Sequence, residues 1–246
     1  MFGDSITEFA FNEHPPTYED DSQFTLGAGL ANAYARKLEV VRRGFAGYTS
    51  RDAVKLVGPI LKYEHDLRSD GEKIVLAYVF FGTNDARVQG TNPENNQHIE
   101  IDDYVANMTK VMAEFKKREI PLIVITPGFH NQELWTKTHP DDEKTGDYRR
   151  SEINKQYADA IAEKCRNEKV PVIHLYNTME KYLREHPQLS TFDLLVDGIH
   201  LTGRGYRILY DALMDIIKTK YPSLYPATMK QLFPEWSDLA DDTIFE

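Results

Sequence analysis

The chain of 246 residues has a single cysteine, Cys165, so no intramolecular disulfide can form and a reducing, cytoplasmic setting is expected. It is also short of positive charge. Lysine and arginine total 29 against 39 aspartates and glutamates, a formal net charge of −10, and the basic residues gather into no stripe. That excludes the electrostatic footprint of a nucleic-acid or anionic-membrane binder. No stretch approaches the roughly 18 consecutive apolar residues of a membrane span, and no charged-then-apolar signal segment opens the chain. Internal repeats, low-complexity tracts and Pro/Gly-rich linkers are absent as well. The sequence therefore reads as one domain, 1–246, with 221–246 as a tail that packs on it or on a partner copy in a homo-oligomer.

What is present is an alternation of buried-strand and helix patterns. "KIVLAYVFFG" (73–82), "PLIVITPG" (121–128) and "VPVIHLY" (170–176) are near-continuous apolar runs, as strands covered on both faces require, and "LEVVRRGF" (38–45) is a weaker fourth. Between them Tyr104, Met108, Val111, Met112 and Phe115 fall on one helical face, and Ile153, Tyr157, Ala160, Ile161 and Cys165 on another. Alternation of this kind predicts a layered α/β fold with a parallel sheet, whose ligands bind beyond the carboxyl ends of the strands.

Small and polar residues stand at those ends: "FGDSIT" at 2–7, "GFAGYTSR" after the weak strand, "FGTNDA" after the longest, and "DGIHLTGRGY" near the end of the chain. They offer Ser5, Gly47, Asn84, Asp197 and His200, which together can fill the roles of acyl transfer. Ser5 supplies a hydroxyl nucleophile, His200 a base and Asp197 a carboxylate to hold the base. The N–H groups of Ser5 and Gly47 and the Asn84 amide supply oxyanion donors. Asp197 and His200 stand three apart, so one turn of chain can set the carboxylate on one ring nitrogen while the other faces the serine.

In these motifs the chain resembles the SGNH, or GDSL-type, hydrolases: Ser5 in "GDS", Gly47 in "GFAGYTS", Asn84 in "GTND", and Asp197 and His200 in "DGIH". "FGDSITEFAFN", "RGFAGYTSR" and "DGIHLTGRGY" are similar to the isoamyl acetate-hydrolysing esterase branch, over Phe2 to about Trp236. The resemblance implies a three-layer flavodoxin-like sheet of order 2-1-3-4-5 with helices on both faces, no metal, no organic cofactor and a small ester of a short acyl group such as acetate as substrate. It also exposes a shortage. Related esterases carry an apolar segment before "FGDS", whereas only Met1 and Phe2 precede Gly3, so the first strand is expected to be missing and the chain as written to be weakly stable and nearly inactive.

Taken one at a time the motifs have plainer readings. Asp4 and Ser5 suit a turn, Asn84 a loop, and Asp197 a helix cap. It is their joint occurrence, each at a strand-to-helix junction, that points to chemistry. Phe81, Asp85, Phe129 and Trp135, near strand ends or in the loop that follows, are candidate pocket residues, with core packing the plainer account of the three aromatics. "LGAGLANAY" lacks the third glycine and preceding strand of a phosphate cradle and reads as a closely packed helix. His130, His139 and the Asp141–Asp142 pair fit no metal-ligand spacing, His174 reads as a histidine within a strand, and the sequon at Asn107 falls inside a helix pattern. Two rivals to the ester hydrolase remain: a deacetylase of acetylated sugars or metabolites, and a binding protein that kept the fold without turnover.

Overall fold

The computed structural model describes residues 1–13, 23–93 and 95–238, and among these five parallel strands form one sheet. In chain order the elements are β1 (Phe2–Gly3), α1 (Ser5–Glu8), α2 (Leu26–Ala33), β2 (Arg43–Gly44), α3 (Ser50–Leu61), β3 (Ala77–Phe80), α4 (Ile101–Lys116) and β4 (Leu122–Ile125). They continue with α5 (Gln132–Thr138), α6 (Asp142–Thr145), α7 (Ser151–Glu168), β5 (Val172–Ile173), α8 (Leu175–Glu185) and α9 (Gly203–Lys220). The strand order is β2-β1-β3-β4-β5, the order expected from the resemblance.

The period of two along the strands separates two cores. Tyr78, Phe80, Ile123, Ile125 and Ile173 point to one face, where they meet Leu26 and Leu30 of α2, Met179 of α8, and Leu209 and Leu213 of α9. Ala77, Val79, Leu122 and Val124 point to the other, against Val57 of α3, Met108 and Phe115 of α4, and Ile161 and Cys165 of α7. Both faces of β3 and β4 are thus dry, which is why their sequences are apolar without alternation. Gly27 and Gly29 of α2 lie against Phe11 and Phe24, so this helix is closely packed as its small residues suggest.

The strands are shorter than the apolar runs that announce them. The first strand, expected to be missing, is present as two residues inside the sheet, between β2 and β3: Phe2 pairs with Arg43 and Val79, and Gly3 with Gly44 and Phe80. Arg43 N donates to Met1 O at 2.8 Å and Phe45 N to Gly3 O at 2.9 Å, so the ladder on the β2 side continues through the end of the strand that leads to Ser5. His174, read as a strand residue, instead caps α8. Its Nδ1 accepts from Asn177 N, and its Nε2 lies 2.9 Å from Asp159.

Of the tail segment 221–246, residues 239–246 lie outside the described residues. The preceding part runs along the end of α2, where Tyr34 Oη donates to Leu224 O and Leu232 N to Arg36 O. Among the described residues no helix is long and apolar enough to cross a membrane.

Candidate active site

Three chain crossings from strand to helix or loop leave the neighbouring strands β1, β2 and β3 at the same edge of the sheet, and they carry Ser5, Gly47 and Asn84, whereas Asp197 and His200 follow no strand of the sheet. At the first, β1 ends at Gly3, Asp4 caps α1 by accepting from Ile6 N at 3.0 Å, and Ser5 is the first helical residue. Asp4 N donates to Phe80 O at 3.2 Å, which ties the turn to β3. A Cβ on residue 3 would stand 2.2 Å from Thr7 Oγ1 and 2.6 Å from Phe80 O, so the crossing requires glycine there. Ser5, at the head of α1, has a backbone N–H without an acceptor inside the helix.

Asp197 and His200 sit in the short loop before α9, closed by an antiparallel bridge between Leu195 and Leu201 and by Val196 N donating to His200 O at 2.8 Å. The loop directs both side chains toward Ser5. Asp197 Oδ2 is 2.6 Å from His200 Nδ1, and His200 Nε2 is 2.8 Å from Ser5 Oγ. Asp197 Oδ1 accepts from the backbone N–H groups of Ile199 at 3.1 Å and His200 at 3.0 Å. Burial alone would raise the Asp197 carboxyl, but the His200 hydrogen bond and charge, with the two backbone donors, hold it well below the usual carboxylate range. An imidazole so oriented can take a proton from Oγ while the ionised carboxylate stabilises the resulting cation.

Gly47 and Asn84 lie in the loops after β2 and β3. Gly47 adopts φ +80°, a left-handed conformation that glycine takes without strain. Asn84 Nδ2 donates to Tyr48 O at 2.9 Å, which joins the two loops, and Asn84 Oδ1 accepts from Arg149 Nη2 at 3.1 Å. Gln97 Nε2 donates to Gly47 O at 2.9 Å. Arg149 and Gln97 lie outside every motif the sequence offered.

The four candidate pocket residues are all buried. Phe81 is fully buried and packs edge-on to Phe2 with centroids 4.9 Å apart. Phe129 belongs to the α2/α8/α9 core and meets Tyr176. Trp135 is buried between the His139 ring, stacked at 3.6 Å, and the Arg149 guanidinium at 4.8 Å. Asp85, also buried, accepts from the backbone N–H of Ser50 at 3.1 Å and from its hydroxyl, so it fixes the start of α3. Burial pushes its carboxyl up to about 6, partly opposed by the Ser50 hydrogen bonds. Phe81 and Phe129 thus pack in the two cores, and Trp135 packs against polar neighbours.

Two cavities lie in this region. One of about 110 Å³ is lined by Phe9, Asn12, Val196, Asp197, His200, Leu201 and Tyr206. The other, of about 600 Å³, is bordered by His130, Gln132, Tyr148, Arg149 and Ser151 among others. Neither includes any of the four candidate pocket residues. Around the site Phe9, 5.2 Å from the His200 ring, and Tyr48, stacked on Phe45, are partly exposed aromatics. Among the described residues no three or more His, Cys, Asp or Glu side chains are grouped as a metal site would need. His130 instead meets Gly198 O and Gln132.

Comparison with known proteins bears on the family and the fold. The sequence model of the GDSL-like Lipase/Acylhydrolase family matches residues 1–208. The isoamyl acetate-hydrolyzing esterase of Saccharomyces cerevisiae is 37% identical over 242 residues, covering 98% of this chain and 94% of that one. The human isoamyl acetate-hydrolyzing esterase 1 homolog is 29% identical, covering 98% and 87%. Among solved structures, an acetylxylan esterase from Geobacillus stearothermophilus superposes with a TM-score of 0.60 at 20% identity, covering 88% of this chain and 91% of that one, a likeness of fold.

Proposed function

From the premise that the chain belongs to the GDSL-like lipase/acylhydrolase family, a family of ester hydrolases, we propose that it cleaves small short-acyl esters, acetates foremost, through an acyl-enzyme on Ser5. The observation that carries this reading is the continuous relay from Asp197 through His200 to Ser5, with contacts of 2.6 and 2.8 Å. Ser5 Oγ attacks the ester carbonyl carbon as its proton passes to His200 Nε2. The negative charge that develops on the carbonyl oxygen is met by the N–H groups of Ser5 and Gly47 and the free amide hydrogen of Asn84. Collapse expels the alcohol, which takes the proton back from His200. Water, deprotonated by the same imidazole, then releases the carboxylic acid.

One thing supports a short acyl group. The relatives of highest identity given above are named for hydrolysis of isoamyl acetate. Hydrolysis of acetate, butyrate and octanoate esters of one alcohol tests the reading, with Ser5→Ala and His200→Ala as controls. Acetate should be cleaved fastest and both variants should be inactive yet folded. Near wild-type turnover by either variant would remove the assignment, a preference for octanoate would remove the short-acyl class, and a preference for acetylated sugars over alkyl acetates would replace it with a deacetylase.

A further inference from the structure

Arg149 is 2% exposed, and a guanidinium withdrawn from water ordinarily finds a carboxylate. Arg87 nearby does so, pairing with Asp142 at 3.0 Å. Arg149 forms no ion pair among the described residues. Its donors go to oxygens of neutral groups: Nη1 to Thr83 O, and Nη2 to Asn84 Oδ1 at 3.1 Å and Gln97 Oε1 at 3.4 Å, while Nε has no partner among the described residues. Burial pushes its pKa down to about 10, so it is still a cation at neutral pH.

Two of those acceptors belong to amides whose orientation matters. A guanidinium has only donors, so it can face only the oxygen end of a side-chain amide, and the flipped amide would set N–H against N–H. With Asn84 Oδ1 held by Arg149 and one hydrogen of Nδ2 on Tyr48 O at 2.9 Å, the second hydrogen of Nδ2 is left for the substrate. Gln97 is held in the same sense. Its Oε1 accepts from Arg149 and, at 3.3 Å, from Arg87, which leaves Nε2 to donate to Gly47 O at 2.9 Å. One guanidinium thus touches the Asn84 loop directly and is linked to the Gly47 loop through Gln97.

The geometry points to Arg149 as a positioning residue for ester hydrolysis: by holding the oxygen ends of the Asn84 and Gln97 amides it fixes the direction of the Asn84 N–H toward the oxyanion and ties down the Gly47 loop. This rests on the proposed role of Asn84. A cation at the amide oxygen also polarises the amide, which makes its N–H a stronger donor where negative charge develops. A residue that merely braced the fold would affect stability without singling out the step in which that charge forms.

The test is steady-state kinetics on an alkyl or aryl acetate with the full chain and the variants Ser5→Ala, Asn84→Ala, Arg149→Met, Arg149→Lys and the double variant Asn84→Ala/Arg149→Met. Arg149→Met keeps the apolar stem and removes charge and donors. It should lower kcat by about 10- to 100-fold, somewhat less than outright loss of an oxyanion donor, with KM changed by no more than about twofold. Because Arg149 acts through Asn84, the double variant should be little slower than Asn84→Ala alone. Arg149→Lys, which keeps the charge but not the planar fork, should fall between wild type and Arg149→Met, and should likewise lose its effect when combined with Asn84→Ala. If Arg149→Met does not fold, that lysine pair carries the test. Unchanged kcat, an effect confined to KM, or losses that multiply in the double variant would overturn the inference while Ser5→Ala stays inactive and the esterase reading stands. A wild-type protein no better than Ser5→Ala would remove that reading and this inference with it.

Discussion

Asp4 is the residue whose environment departs furthest from what its place in a motif suggests. As a turn residue it needs only local backbone, and Oδ1 indeed accepts from Ile6 N, but it is fully buried beneath the serine and Oδ2 has no partner among the described residues. Burial pushes its carboxyl up to about 7, with Asp85 adding in the same direction and His200 and Arg149 opposing. A raised carboxyl holds its proton in the folded state at a pH where the unfolded chain, with its value near 3.8, has released it. Stability is therefore full below about pH 4 and is lost as pH rises to about 7. Asp4→Asn keeps the cap acceptor without the titration. Thermal unfolding from pH 4 to 8 should show the variant gaining on wild type across that window and level with it below; equal curves at all pH values would contradict a buried, neutral Asp4. At Asn84 the expectation concerns rate. Replacement by Ala should lower kcat by about 10²–10³ with little change in KM, as for other oxyanion donors, and an effect on KM alone would remove the role.

At the level of elements, the apolar runs located β3, β4 and β5 but not their ends. The sequence reports burial, and a residue such as Phe81 can be buried past the point where its backbone has a ladder partner. The same ambiguity covers Phe81 and Phe129, since an aromatic at a strand end looks the same in sequence whether it faces a substrate or the core, and both pack with core residues. The register of β1 could not be read at all, because two residues have no periodicity. It is set by close approach, with Gly3 against Thr7 and Phe80 O. Gly3→Ala should accordingly cost about 1–3 kcal/mol, the range for overpacking, and displace α1 enough to lower activity. Urea unfolding measures the first and ester turnover the second. A variant as stable and as active as wild type would mean that the crossing is looser than these contacts require.

Across the whole molecule, the relay residues were legible because their types and order carry the chemistry, although Ser5 and His200 are separated by 195 positions and meet only through the sheet. Arg149 was not legible for the converse reason: an arginine in a loop reads as a solvated surface charge, and only the fold shows it buried against Asn84. The central claim is that folding assembles a nucleophile at Ser5, and the direct test is to label the intact chain with a fluorophosphonate, map the adduct by peptide mass spectrometry, and repeat the labelling across a urea titration. The account predicts a single phosphonyl group on Ser5, absent from Ser5→Ala, and lost with the same midpoint as the folded structure. An active esterase that stays unlabelled, or that is labelled at another serine, would contradict it.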